Sequence, residues 1–221
     1  LGLSAASVQK TEAAAAWRRL TGPSLASNGV TRLWLDGKRR MTLDKSTAQI
    51  GAPTAWKQGL TGKGVTVAVL DTGIDLDHPD LAPNLVAGYN AVRPGDTPLD
   101  DNGHGTAVAG LIGAATNNGI GVAGVAWNAR IMPVKVLDHR GQGSDAGVAE
   151  GIRWATDHGA DVINMSLSGA GQSDLLQQAV DDALARNVVV VAATGNDGAY
   201  VPHYPAAIPG VVAVSATDSS G

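Results

Sequence analysis

The sequence predicts an α/β protein built on a doubly wound, mostly parallel sheet flanked by helices. Three observations carry that expectation. Several short runs are Val-rich and continuously apolar, as in strands buried on both faces. They alternate with segments whose apolar residues recur at helical spacing behind a Ser N-cap. Alternation of this kind implies right-handed crossovers that lay helices on both faces of the sheet. The run from Val65 to Leu70 opens this pattern and ends in Asp71, Thr72 and Gly73. A carboxylate at the carboxyl end of such a strand lies where open α/β sheets hold their ligands. Capping a turn is the other reading of Asp71.

Taken in order, residues 1–30 are Ala-rich, with a short helix expected over residues 10–20. Residues 31–36 alternate polar and apolar side chains like an edge strand, and a basic turn follows at Gly37, Lys38, Arg39 and Arg40. That turn reads as a solvated loop or as an exposed processing site. The boundary between an N-terminal appendage and the main domain is placed at about residues 37–45. Residues 53–58 look like one or two helical turns stopped by Gly59. After the opening strand, a weaker strand is expected over residues 85–90. A helix follows over residues 107–115, entered through Gly103, His104, Gly105 and Thr106. Residues 130–137 form the next strand, with Pro133 expected where no ladder donor is needed. Ser144 caps a helix to His158, with Val148, Ile152 and Ala155 as its stripe. A strand over residues 161–166, a capped helix over residues 173–186, a strand over residues 188–193 and a last strand over residues 211–214 complete the pattern.

With 221 residues, 44% apolar and 16% charged, the chain is long enough for one sizeable domain with an appendage. A net charge of −4 argues against nucleic acid or an anionic membrane as partner. The absence of cysteine excludes disulfides, thiol catalysis and thiolate-bound zinc. The longest apolar stretches fall far short of the ~20 residues of a membrane span. No signal peptide is visible, and a start at Leu1 reads as trimmed or processed.

Asp71, His104, Ser166 and Asn196 all fall at strand ends or helix entries, which share one edge of such a sheet. A carboxylate and an imidazole there suggest an orienting acid and a general base. A lone His at a helix start is otherwise a surface residue. Asn196, following Thr194 and Gly195, is either an oxyanion donor or a turn residue with positive φ.

These segments resemble the subtilisin-like serine proteases, the subtilase family. The resemblance rests on Val67-Ala68-Val69-Leu70-Asp71-Thr72-Gly73-Ile74-Asp75, on His78-Pro79-Asp80-Leu81, and on Asn102-Gly103-His104-Gly105-Thr106 with Val108-Ala109-Gly110. It continues through Val162-Ile163-Asn164-Met165-Ser166-Leu167 and Val190-Val191-Ala192-Ala193 to Gly195-Asn196, so five motifs keep one order over about residues 49–216. The resemblance implies a serine endopeptidase in which Asp71 orients His104, His104 is the base and Asn196 binds the oxyanion. Ser166, Leu167 and Ser168 would form one edge of a substrate cleft, with Gly141, Gln142 and Gly143 as the facing edge. An extended peptide would lie between them as an added strand. Ala193, Thr194 and Gly195 would line the pocket for the side chain before the cleaved bond.

The same resemblance implies a structural calcium loop, with Asp80 as carboxylate and Thr116, Asn118, Ile120 and Val122 supplying amide or carbonyl oxygens. A plain Asn-Gly loop is the other reading of that segment. The family's ligand near the mature N-terminus has no clear match around Met41. Residues 1–40 would be the tail of the protein's own inhibitory propeptide, with cleavage between about Lys38 and Asp44 releasing residues 41–221 as the catalytic domain. Secretion is implied only by the family and by the propeptide-like remnant.

The sequence departs from the family at the nucleophile. No Gly-Thr-Ser motif follows Asn196, and Ser215, Ser219 and Ser220 stand in the wrong context. The expectation is a catalytic domain incomplete at its C-terminus, truncated before its serine and inactive alone. Ala107 stands where many relatives have a second His, and Ser168 where many have Gly. A non-catalytic, peptide-binding subtilase-like domain is the alternative; a replaced serine in the parent chain would indicate it. An aspartic protease would need a second Asp-Thr-Gly on an all-β frame. A dinucleotide fold would need a Gly-x-Gly-x-x-Gly after the opening strand.

Overall fold

The computed structural model describes residues 43–198 and 201–217. The helix expected over residues 10–20, the strand over residues 31–36 and most of the proposed boundary lie outside the described residues. Six parallel strands form one sheet: β1 (Thr66–Asp71), β2 (Tyr89–Asn90), β3 (Arg130–Lys135), β4 (Val162–Met165), β5 (Val189–Ala193) and β6 (Val212–Val214). Their spatial order is β2-β3-β1-β4-β5-β6. The helices are α1 (Leu43–Gln49), α2 (Ala52–Lys57), α3 (His104–Gly113), α4 (Asp145–Asp157) and α5 (Asp174–Ala185). None of the described helices is long and apolar enough to cross a membrane.

β1 is buried along its whole length and sits between β3 and β4. Its alternation divides the core in two. Ala68 and Leu70 join Met132, Val134 and Ile163 in the larger cluster, which takes in Val148 and Ile152 of α4 and Val180 of α5. Val67 and Val69 join Ile131 and, from α3, Ala109 in the smaller one. The sheet is thus covered by α4 and α5 on one face and α3 on the other, which is why no strand beside β1 reads as half polar.

The capped helices begin where the serines place them. Ser144 Oγ accepts from Gly147 N–H at 3.1 Å, while Ser173 Oγ reaches Leu176 N–H only at 3.5 Å. Pro133 pairs with Val69 of β1. Val86 N–H donates to Ile131 O and Ala91 N–H to Lys135 O, so odd-numbered residues of β3 turn their backbone groups toward β2. Pro133 therefore meets Gly88, in the interval between an isolated bridge at Leu85 and β2. That interval also shortens the strand expected over residues 85–90 to its last two residues. Helix α3 begins at His104 itself, three residues before the expected start, and α1 has no counterpart in the sequence reading.

Candidate active site

The carboxyl end of β1 and the first turn of α3 meet through backbone. Gly105 packs so closely on the chain after β1 that a Cβ there would lie 2.1 Å from Gly73 O. Gly103, at the N-cap, has φ of 104°, a left-handed conformation that favours glycine. Two glycines therefore let the helix start abut the strand end, and His104 is delivered beside Asp71.

His104 Nδ1 lies 2.8 Å from Asp71 Oδ1. Asp71 is fully buried, whereas the His104 side chain is 50% exposed. The same Oδ1 accepts from Thr72 N–H at 2.7 Å, and Oδ2 is buried without a partner among the described residues. A carboxylate can only accept, so the favoured neutral tautomer carries its proton on Nδ1 and leaves the Nε2 lone pair free.

A second carboxylate fastens this corner. Asp100 Oδ1 accepts from Thr72 Oγ1 at 2.8 Å and from the N–H groups of Asn102 and Gly103 at 3.0 and 2.9 Å. Its Oδ2 accepts from Thr106 N–H and Oγ1 at 2.9 and 2.5 Å. Thr72 Oγ1 in turn accepts from Gly105 N–H at 2.9 Å, satisfying one free donor of the first helical turn. Burial pushes the Asp100 carboxyl upward, but the bonds from Gly103, Thr106 and Asn102 outweigh it and hold the group at about 2. Lys135, buried at the end of β3, donates to Thr72 O at 2.5 Å and Asp101 Oδ1 at 2.6 Å. Sequence reasoning missed Asp100 and Lys135. The signal for Lys135 was available: a charged residue inside an apolar strand is almost never buried unless paired.

Thr72, Asn102 and His104 help line a groove of about 660 Å³. Gly141, Gln142 and Gly143 line it too, as do Ser166, Leu167 and Ser168 from the segment after β4. Leu137, Val148 and Leu176 give it apolar surface, and Arg140, Asp145, Tyr204 and Pro205 also contribute. Asp138 shapes the turn before it, accepting from Arg140 and Gln142 N–H at 2.9 and 3.0 Å. Those two bonds, Gln142's first, lower its carboxyl below the usual range. Ala193 ends β5, and neither it nor Thr194, Gly195 and Asn196 line this groove. The left-handed residue of that turn is Gly195, with φ of 94°, and Asn196 itself does not have positive φ.

Past the C-terminal end of α3, where Ala115 N–H donates to Asp80 O, Asp80 is 3% exposed. Asn118 Nδ2 donates to Asp80 Oδ1 at 2.6 Å, and Asn118 Oδ1 accepts from Ile120 N–H at 3.2 Å. Gly121 closes on the other oxygen, where a Cβ would lie 1.7 Å from Oδ2. No described backbone N–H donates to the carbonyls of Thr116, Ile120 or Val122. No group of three or more His, Cys, Asp or Glu suited to a metal occurs among the described residues.

The fold and this corner define an α/β protein that presents a buried carboxylate and a half-exposed imidazole to one groove at the carboxyl edge of a parallel sheet. The chain belongs to the subtilase family, whose model matches residues 62–221. It is 46% identical over 172 residues to thermitase from Thermoactinomyces vulgaris, covering 78% of this chain and 61% of that protein. It is 49% identical over 173 residues to subtilisin Savinase from Lederbergia lenta, covering 78% of this chain and 63% of that one. It is 50% identical over 173 residues to an alkaline protease from Alkalihalobacillus alcalophilus, covering 78% of this chain and 44% of that one. The chain thus spans less than two thirds of each of these relatives.

Proposed function

We propose that these residues form the larger part of the catalytic domain of a secreted serine endopeptidase, with the nucleophilic serine supplied from sequence beyond them. The observation that supports this most is the 2.8 Å contact between His104 Nδ1 and Asp71 Oδ1, which leaves Nε2 free beside the groove. In this reading the serine hydroxyl gives its proton to His104 Nε2 as its oxygen attacks the peptide carbonyl. Asn196 donates to the oxyanion that develops. The C–N bond then breaks as the imidazolium returns the proton to the departing amine, and water repeats the sequence on the ester. Asp71 holds the tautomer and the ring orientation through its contact with Nδ1.

Polypeptide substrates lie extended between residues 141–143 and residues 166–168, and residues 1–40 act as the tail of an inhibitory propeptide. Calcium fits the Asp80 loop as a structural ion. A buried carboxylate, an amide side chain and unclaimed carbonyls of Thr116, Ile120 and Val122 are hard oxygen donors of the kind it takes. The test of the activity uses the processed full-length protein. A serine-directed covalent inhibitor and His104→Ala should each abolish peptide cleavage. Cleavage undiminished by either treatment overturns the mechanism, and peptide binding without cleavage by the untreated protein supports a non-catalytic binding domain instead.

A further inference from the structure

We infer that His203 is a positioning residue for Asn196, tying the loop that carries it to the edge of the groove; the inference rests on the endopeptidase reading above. β4 and β5 are neighbours, with Met165 opposite Ala192, so the segments that follow them leave the sheet side by side. The first runs to Ser168 and Gly169, and the second to Gly195 and Asn196. His203 spans the two. Its imidazole lies against Gly195, where a Cβ would be 3.0 Å from Cγ and Nδ1. Its Nε2 lies 3.1 Å from Asp197 Oδ2, one residue beyond Asn196. From behind, Tyr204 N–H donates to Gly169 O at 2.8 Å and Gly169 N–H to Tyr204 O at 2.9 Å, and both residues line the groove.

Among the described residues the loop has few other anchors. Thr194 N–H donates to Val214 O at 3.0 Å, and Asn196 makes no hydrogen bond with any described residue. The His203 side chain is only 9% exposed. With Nε2–H turned to Asp197, Nδ1 is a buried acceptor with no donor among the described residues. An apolar ring of similar size would fill the space under Gly195 without that cost. What the imidazole adds is the bond to Asp197, and through it a fixed place for the residue between.

His203→Ala in the processed full-length protein should lower kcat for a peptide substrate by roughly tenfold to a hundredfold, less than outright loss of an oxyanion donor, with KM little changed. A peptide boronate, which forms a tetrahedral adduct, should lose affinity in the same proportion, while a non-covalent peptide ligand of the groove should not. Asp197→Ala, a change at an exposed side chain, should reproduce the loss, and the double variant should be no worse than either single one. His203→Gln, which restores a donor, should recover part of the rate. Additive losses, a fall in kcat without a fall in boronate affinity, or an effect on KM alone overturn the inference. An untreated protein that cleaves no peptide overturns the underlying reading instead.

Discussion

Replacing Asp100 with Ala removes a carboxylate that accepts five hydrogen bonds, from Thr72, Asn102 and Gly103 on one oxygen and twice from Thr106 on the other. A hydrogen bond to a charged group contributes about 1.5–3 kcal/mol when its partner would otherwise be stranded. Asp100 is only partly buried, and the N–H groups of Asn102 and Gly103 regain water, so the five do not add. A net loss of about 2–3 kcal/mol is expected. For a domain of this size each kcal/mol moves Tm by about 2–4 °C, so the variant should melt roughly 5–10 °C lower. The assay is calorimetry of the full-length protein in a His104→Ala background, which prevents self-digestion in the proposed reading. The pH dependence gives an independent check. Lowering the carboxyl from 3.8 to about 2 corresponds to about 2.4 kcal/mol, which solvent screening of a partly exposed group reduces to about 1 kcal/mol. Because the folded-state value is the depressed one, this contribution is complete above 3.8 and is lost as the pH falls through about 2. The gap in Tm between parent and variant should therefore narrow across that window. A gap of about 1 °C or less at neutral pH, or one that stays constant as acid is added, would refute the assignment of Asp100 as the fastening group.

Two further substitutions in one helix should have opposite signs. Gly105→Ala drives a Cβ to 2.1 Å from Gly73 O and should prevent cooperative folding or cost more than about 3 kcal/mol in urea titrations. Gly110→Ala in the same helix meets nothing within 4 Å and should stabilise by about 0.5–1 kcal/mol. Calcium at a hundred times its dissociation constant should stabilise the parent by about 2.7 kcal/mol, and chelation should reverse this. Asp80→Asn should flatten that response in thermal melts. An Asp80→Asn protein that still gains stability from calcium places the ion elsewhere.

The parallel sheet was legible because its strands are buried on both faces and so carry unbroken apolar runs, as Val67 to Leu70 does. The nearness of Asp71 and His104 was legible because strand ends and helix entries share one edge of such a sheet. Element ends were less so. The strand over residues 85–90 contracts because Pro133, which faces Gly88, has no N–H to give the ladder, and which of its neighbours that gap falls against is a tertiary matter. Helix α3 starts early because Gly103 supplies a left-handed N-cap and Gly105 the close approach to the strand, where propensity alone reads both as loop. Asp100 was passed over since an Asp before an Asn-Gly pair looks like ordinary turn chemistry, although its acceptors organise three separate turns. His203 packs its ring under Gly195 across an irregular loop, a contact that no periodicity encodes. Ala193, Thr194 and Gly195, expected as a pocket wall, are not among the residues that line the groove.

The contact of Gly105 with Gly73 O has an evolutionary corollary. Because backbone touching backbone and the Asp100 carboxylate set the spacing of Asp71 and His104, the exposed middle of the stretch that joins strand to helix is relieved of that duty. Exposed residues within it, such as Arg93, Pro94 and Gly95, are free to lengthen, shorten or acquire new partners while the pair stays in place. Variation among descendants of this chain should accumulate at that excursion, and glycine should persist at both ends of it.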